Sequence, residues 1–397
     1  MIRVAVIGGG AAGLCALRHL TAKPSVFQVV GFEQGSQVGG TWIYTEKTGT
    51  DDCGLPIHSS MYKNLRTNLP KEVMAFPDFP FKPSLPSFIG HKDVLDYLED
   101  YSKHFNFLKY IKFQTLVTKV RPVSSDSSGV NKTTKWEVSY CNIYNRRDVV
   151  TEKFDAVIVC NGHYAIPLVP QVAWTKRFYG NSPFAKKVFL SHNKPPLLTA
   201  LPNNVAQVPG IQQLGVNSVT FQDGREEDID IVLFCTGYHY DFPFLTPECE
   251  IHIEDERITP LYKHLIHTNY PSLSIIGIGK VIVPFPQFHV QVKFVLSILE
   301  GTLKLPSQEE MNRDTKADFE KRLSEGLPPR HAHHMGPRQW GYNDDLSSIG
   351  QFDFIPSVVQ KLNDYIHHYR GKNLIGYKNY NYELVDSDTF RLKGEGS

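Results

Sequence analysis

Six residues near the N-terminus, Gly8-Gly9-Gly10-Ala11-Ala12-Gly13, constrain the fold more than any other part of the 397-residue chain. They follow the apolar run Ile2-Arg3-Val4-Ala5-Val6-Ile7 and open a segment, residues 11–21, in which Ala12, Ala16, Leu17 and Leu20 recur at helical spacing. A nearly continuous apolar run of that length reads as a parallel strand buried on both faces. With a second strand expected over Val26 to Phe32, this is one βαβ unit of roughly 30 residues. In a G-x-G-x-x-G at such a junction, Gly8 permits the tight turn and Gly10 lets backbone approach a pyrophosphate. Gly13 lets the helix pack on its strand, and the helix N-terminus faces the phosphates. Glu33 ends the second strand about twenty residues past Gly13, where a carboxylate accepts from ribose hydroxyls and repels a 2′-phosphate.

Composition narrows the partners. Hydrophobic residues make up 41 % and aromatics 12 %, enough to bury a large core and still line a planar ligand. The formal net charge is +1 with both signs mixed along the chain, so no basic stripe points to nucleic acid. The six cysteines are scattered without a C-x-x-C pair, the pattern of free thiols in a reducing compartment. Cys15, Cys160 and Cys235 fall in segments that read as buried core. No signal-peptide pattern and no apolar run near the ~20 residues of a membrane helix are found. The expectation is a cytoplasmic protein without a membrane anchor.

Further elements follow from periodicity. His91 to Phe105 reads as a helix with Val94, Leu95, Leu98 and Tyr101 on one face, and Phe113 to Arg121 and Lys135 to Tyr144 as paired strands. Asp155 to Gly162 reads as a buried strand, and Asp230 to Gly237 repeats its pattern. Leu273 to Gly279 is a further strand, and Pro286 to Leu299 a helix. The histidine clusters His331, His333, His334 and His264, His267 lack a cysteine or carboxylate set that completes a metal site, and read as loop or packing residues.

The glycine-rich turn alone leaves FAD and NAD as candidates. Gly39-Gly40-Thr41-Trp42, shortly after the ribose carboxylate, decides for FAD. A glycine pair followed by Trp suits a chain passing close to an isoalloxazine ring.

At this point the sequence resembles a known family. Gly8 to Gly13, Glu33, Gly39-Gly40-x-Trp42, Tyr62-Lys63-Asn64-Leu65-Arg66-Thr67-Asn68, Phe76-Pro77-Asp78-Phe79-Pro80 and Cys235-Thr236-Gly237-Tyr238 are similar to the flavin-containing monooxygenases, in particular the soluble S-oxygenase-like branch. The resemblance runs over residues 1 to about 170 and about 186 to 365. It implies an enzyme of the N,N-dimethylaniline monooxygenase type, in which NADPH reduces FAD and the reduced flavin takes up O₂ as a C4a-hydroperoxide. A small-molecule amine or sulfide attacks its distal oxygen. The cofactor carries the hard chemistry. The resemblance further implies that Asn68 stabilises the peroxide. It places Gly8, Gly9, Gly10, Ala11, Ala12, Gly13, Glu33, Gly40, Thr41, Trp42, Thr67, Asn68, Thr236 and Gln291 at the cofactor.

The chain departs from that family in one place. The strands Asp155–Gly162 and Asp230–Gly237, which in the family flank an NADPH domain with its own G-x-G-x-x-G, are only about 70 residues apart. Of the glycines between them (Gly180, Gly210, Gly215, Gly224), no two are adjacent or separated by one residue, so no second phosphate-cradling turn can be drawn. The family hallmark F-x-G-x-x-x-H starts at Phe178-Tyr179-Gly180 but has Phe184 in the histidine position. Val188-Phe189-Leu190-Ser191-His192 and Ser218 to Gly224 still resemble parts of that domain. The expected architecture is α/β, a Rossmann-type FAD-binding domain with a truncated second nucleotide-binding domain. Residues 1–165 and 230–397 form the first, and 166–229 the remnant of the second. A non-catalytic FAD-binding form that cannot use NADPH is the alternative to an active enzyme.

Overall fold

The computed structural model describes residues 1–58, 60–123, 134–170 and 185–393. The hallmark positions Phe178 to Phe184 lie outside the described residues.

The opening βαβ unit forms as its pattern predicts. Strand β1 spans Ile2–Ile7, helix α1 spans Ala11–Thr21, and strand β2 spans Phe27–Phe32. β1 pairs in parallel with β2 on one side and with Ala156–Val159 on the other. Its apolar run is explained by burial on both faces. Val4 and Val6 point into the core beneath α1, whereas Ala5 and Ile7 point into a second core with Trp136, Phe154 and Val157. α1 lays Leu14, Leu17 and Leu20 on the sheet, each buried and each contributing roughly 1.5–3 kcal/mol.

These strands sit in a seven-stranded sheet. From the far edge inward its order is Leu261–Tyr262, Ile266–His267, Leu273–Ile275 and Ala156–Val159, continuing through β1, β2 and Ile111–Lys112. The four links from Leu273–Ile275 to Ile111–Lys112 are parallel, and the two at the Leu261 edge are antiparallel. Helices His91–His104 and Pro284–Leu299 contribute to the core beneath α1. A three-stranded antiparallel sheet, Thr115–Val123, Lys135–Asn142 and Asn145–Phe154, covers the other face.

Residues 185–237 differ in kind. Val188–Ser191 pairs in parallel with Val205–Val208, and Ile211–Leu214, Ser218–Phe221 and Glu226–Asp228 form an antiparallel meander. Their common core is small: Val208, Leu214, Val219 and Phe221, with Phe189, Ile211, Ile229, Val232 and Phe234 packed at its edge.

One expectation is corrected here. Asp230 to Gly237 does not form a strand: residues 231–237 have no regular structure, Leu233 is 77 % exposed, and Cys235 is exposed rather than buried. An apolar parallel strand is stable only when neighbours on both edges take up its N–H and C=O groups. Among the described residues no strand of any sheet pairs with 231–237.

Candidate functional site

A cavity of about 930 Å³ opens at the C-terminal ends of β1 and Ala156–Val159, where the parallel sheet is split by its crossover connections. That is the place where open α/β sheets bind ligands. The volume is at the upper end for small-ligand sites and suits an extended molecule.

The glycine turn forms one wall. Gly8, Gly9, Gly10, Ala11 and Ala12 line the cavity. Gly8 has φ +112°, a conformation glycine favours, and a Cβ there would sit 2.4 Å from the Cys160 carbonyl oxygen. Gly10 is the N-cap of α1, and no side chain caps the helix. Its first N–H groups, with the positive end of the helix dipole, remain for an anionic ligand. Gly13 does not line the cavity. It packs on the turn itself, as its expected role in helix–strand contact requires.

Glu33 braces this turn. Its carboxylate accepts from Gly9 N–H and from Gly35 N–H, both at 2.6 Å. Burial raises its pKa above the ordinary carboxylate value, against the two backbone hydrogen bonds. A carboxylate has about four lone-pair positions, so two remain for hydroxyls in the cavity.

Across from the turn, Gly39 (φ +133°) and Gly40 (φ +55°) swing the chain into a short 3₁₀ turn, Gly40–Trp42. Gly40, Thr41 and Trp42 line the cavity. Gly40 lies against Gly10 so closely that a Cβ on Gly40 would be 2.9 Å from Gly10 Cα. Thr41 Oγ1 lies 3.0 Å from Ser60 Oγ, and Trp42 meets Phe285 edge-on at 6.4 Å between ring centroids.

The segment Leu65–Leu69 supplies the next wall. Thr67 is buried, its N–H donating to Ile89 O at 2.8 Å and its Oγ1 accepting from Ile89 N–H at 3.2 Å. Asn68, the next residue, is exposed into the cavity and has no hydrogen-bond partner among the described residues. Met74, Leu69, Ile276, Phe285 and Phe288 make the remaining surface apolar.

Two expected residues stand outside this wall. Gln291 is fully buried. Its Oε1 accepts from Gly277 N–H at 3.1 Å and its Nε2 donates to Tyr342 Oη at 2.9 Å. It therefore holds Gly277, which does line the cavity. Thr236 is exposed, and its hydroxyl donates to the Leu168 carbonyl.

Other cavity residues were not singled out by sequence. His163 has a buried Nε2 without a partner among the described residues, and burial lowers its pKa to about 4, so it is neutral near pH 7. His58 also lines the cavity, with a buried, unpartnered Nδ1 among the described residues. Arg66 lies inside the motif Tyr62 to Asn68 and could have been noticed there. Asn363, His367, Arg370 and Lys378 carry no local signature.

The flagged histidines pack as expected, with His264 Nδ1 2.9 Å from His333 Nδ1 and the His331 and His334 rings stacked. A different trio gathers between α1 and Pro284–Leu299. Cys15, His19 and His289 bring their ligand atoms within 4.8 Å of one another. His19 and His289 are 3.2 Å apart, and burial, with the nearby Arg18 and Lys293 charges, keeps both neutral. That positive surrounding disfavours a cation.

A parallel sheet with a glycine-rich turn at its centre and a long cavity across that turn define a Rossmann-type dinucleotide-binding protein. The chain belongs to the flavin-binding monooxygenase-like family, whose pattern it matches over residues 1–199 and 181–349. Flavin-containing monooxygenase FMO GS-OX-like 4 of Arabidopsis thaliana is 34 % identical over 398 residues, covering 87 % of this chain and 86 % of that protein. The structure of S-allyl-L-cysteine S-oxygenase from Allium sativum superposes with a TM-score of 0.83 at 30 % identity over 95 % of each chain. Tmm from Pelagibacter sp. strain HTCC7211 superposes with a TM-score of 0.80 at 25 % identity, over 95 % of this chain and 93 % of that one. The family implies an oxygenase that uses FAD, O₂ and a small-molecule substrate. No helix among the described residues is long and apolar enough to cross a membrane.

Proposed function

We propose that this chain oxygenates soft nitrogen or sulfur centres of small molecules, with FAD as its cofactor and NADPH as reductant. The observation that carries the reading is that the Gly8–Ala12 turn, Glu33, Trp42 and Asn68 share one continuous cavity. The donor set fits FAD: uncapped N–H groups and a side-chain-free Gly10 for the pyrophosphate, a carboxylate for the ribose, and a Trp beside an apolar wall for the ring system. When bound, FAD supplies the oxygen-transfer chemistry. The chain's own residues do the rest. α1 and the turn hold the phosphates, and Glu33 keeps Gly9 and Gly35 in register. Gln291 positions Gly277. Phe285, Met74 and Leu69 exclude water, which strengthens every polar contact inside. The Asn68 amide donates a hydrogen bond at the reacting oxygen.

In this reading residues 1–165 and 230–397 form the flavin unit, and 166–229 are a remnant of the domain that holds NADPH in the family. Support comes from the alignment with the Arabidopsis relative, which is 398 positions long although it uses only 87 % of this chain. A second reading, a flavin-binding form that NADPH does not reduce, is favoured by the irregular 231–237 segment, whose Leu233 and Cys235 are exposed.

One experiment separates them. The purified protein is examined for a flavin spectrum, and NADPH is then added without air. Bleaching of the bound flavin is the expected result. Flavin that stays oxidised sinks the first reading in favour of the second, and absence of flavin sinks both.

A further inference from the structure

One part of the cavity wall is not used by the flavin reading. Arg66, Asn363, His367, Arg370 and Lys378 all line it. Asn363, His367 and Arg370 lie on the helix Ser357–Lys372 at intervals of four and three residues, which places them on one stripe. Arg66 and Lys378 interlock opposite. Arg66 Nη2 donates to Lys378 O at 2.7 Å, Lys378 Nζ donates to Arg66 O at 3.0 Å, and Arg66 Nε donates to Phe88 O at 3.1 Å.

These bonds fix the two cations on backbone carbonyls and leave their charge unneutralised. Arg66, Arg370 and Lys378 have no ion-pair partner among the described residues, whereas nearby Lys63 pairs with Glu46. Burial, and then the Arg66 and Arg370 charges, push the Lys378 ammonium below its ordinary pKa. Asn363 is only 3 % exposed, and its Oδ1 is buried without a donor among the described residues. Arg370 and Lys378 face the Tyr377 ring at 5.8 and 5.7 Å from its centroid, but like charges gathered around a partly buried wall still repel, and a neutral ring brings no balancing charge. A negatively charged ligand does.

The placement relative to Asn68 indicates which ligand. Along Arg66-Thr67-Asn68 exposure alternates: Arg66 and Asn68 are exposed, Thr67 buried. Arg66 and Asn68 both line the cavity, and two residues of separation hold their Cα atoms within about 7 Å of each other. The cations therefore stand within a small molecule's length of Asn68.

We propose that Arg66, Arg370 and Lys378 form an anion clamp that grips a carboxylate or sulfate group of the substrate while its sulfur or nitrogen lies at Asn68. Asn363 Oδ1 accepts from an N–H or O–H carried beside the acid group. The inference rests on the reading of this cavity as an oxygenation site, and narrows the substrate to small acidic sulfides or amines. The same cations could meet a phosphate of a nicotinamide dinucleotide, so the test includes that source.

Binding of 3-(methylsulfanyl)propanoate and of the neutral 3-(methylsulfanyl)propan-1-ol to the purified flavin-loaded protein is measured by calorimetry and by perturbation of the flavin spectrum. A charge-assisted hydrogen bond is strong enough for the acid to bind about tenfold tighter or better. The preference should be lost in Arg370→Met and Lys378→Met, be partly restored by Arg370→Lys, and weaken with added salt, while the alcohol's affinity stays constant. Retained flavin content shows that the variants fold. Equal binding of acid and alcohol, or an acid preference that survives both Met variants, overturns the clamp. NADPH affinity that falls in the variants while the acid preference is unchanged also overturns it. An intact, variant-sensitive acid preference without sulfoxide formation supports the clamp and sinks the oxygenation reading instead.

Discussion

Gly13 packs against Gly8 so tightly that a Cβ on Gly13 would lie 1.8 Å from the Gly8 carbonyl oxygen. The contact is backbone on backbone, so no side chain can move to relieve it. Gly10, three residues earlier, is different: a Cβ there meets nothing closer than Gly40 Cα at 3.6 Å, an ordinary contact.

The two glycines should therefore separate folding from binding. Gly13→Ala is expected to destabilise the protein by about 3 kcal/mol or more, since overpacked backbone cannot relax. Gly10→Ala should leave the flavin-free protein's unfolding midpoint in place but reduce retained FAD, because the methyl stands where the pyrophosphate approaches. Denaturant unfolding and the flavin-to-protein absorbance ratio read the two effects. A Gly10→Ala protein with full flavin content would refute the phosphate assignment.

Glu33 gives a pH prediction. Its folded pKa is raised above the ordinary carboxylate value, with burial the leading cause. A raised folded pKa means that the folded state holds the proton more tightly than the unfolded state. The contribution is present below the unfolded value and is lost as pH rises through the folded one. Without flavin, the wild type should lose stability relative to Glu33→Gln as pH rises from about 4 toward neutrality. Parallel stability curves for the two proteins over that range would show that Glu33 does not titrate in this way.

The N-terminal half of the site was legible because its signals are local. Gly8 to Gly13, the apolar strand and Glu33 follow one another within a single supersecondary unit, and each residue's role is set by near neighbours. α1 forms over Ala11–Thr21, the span its spacing predicts. The clamp side chains depend on where a distant helix lands. Nothing around Asn363 or Arg370 announces that the Ser357–Lys372 helix will face Arg66, some 300 positions earlier. Gln291 shows a related limit. Resemblance places it at the cofactor, and only the structure shows that its amide bonds Gly277, a cavity residue, and Tyr342. Asp230–Gly237 failed for a third reason, since an apolar run becomes a strand only if an edge is waiting for it.

Asn68 tests the chemistry without testing the fold. Its amide has no protein partner among the described residues, so Asn68→Ala should change stability by no more than about 0.5 kcal/mol. Removing a single donor at a developing negative oxygen lowers turnover by roughly 10²-fold in comparable sites. Retained flavin with a loss of oxygenated product on that scale is the expected outcome, measured by product analysis. Full product yield would remove Asn68 from the reaction.

Gln291 predicts the converse. Gln291→Leu leaves the Gly277 N–H and the Tyr342 hydroxyl without their buried partner, a loss of about 1–3 kcal/mol. Flavin content should fall only as far as the displaced Gly277 wall disturbs the cavity. Chemical unfolding of the flavin-free protein checks this: an unchanged midpoint would mean that the Gln291 bonds do not hold the wall.

Cys235 lies in the segment whose strand did not form. Cys235 is exposed, Cys53 partly so, and Cys15, Cys141, Cys160 and Cys249 are buried. Thiol reagents attack the accessible thiolate, so exposure decides which cysteine reacts first. Under native conditions a maleimide should label Cys235 fastest and Cys53 more slowly, with the other four modified only on unfolding, and Cys235→Ser should remove the fast phase. Had Asp230 to Gly237 been a central strand, Cys235 would be shielded by its neighbours, and labelling would wait for unfolding. A protected Cys235 in the native protein would therefore reinstate the strand. Mass spectrometry of the labelled peptides distinguishes the two outcomes directly.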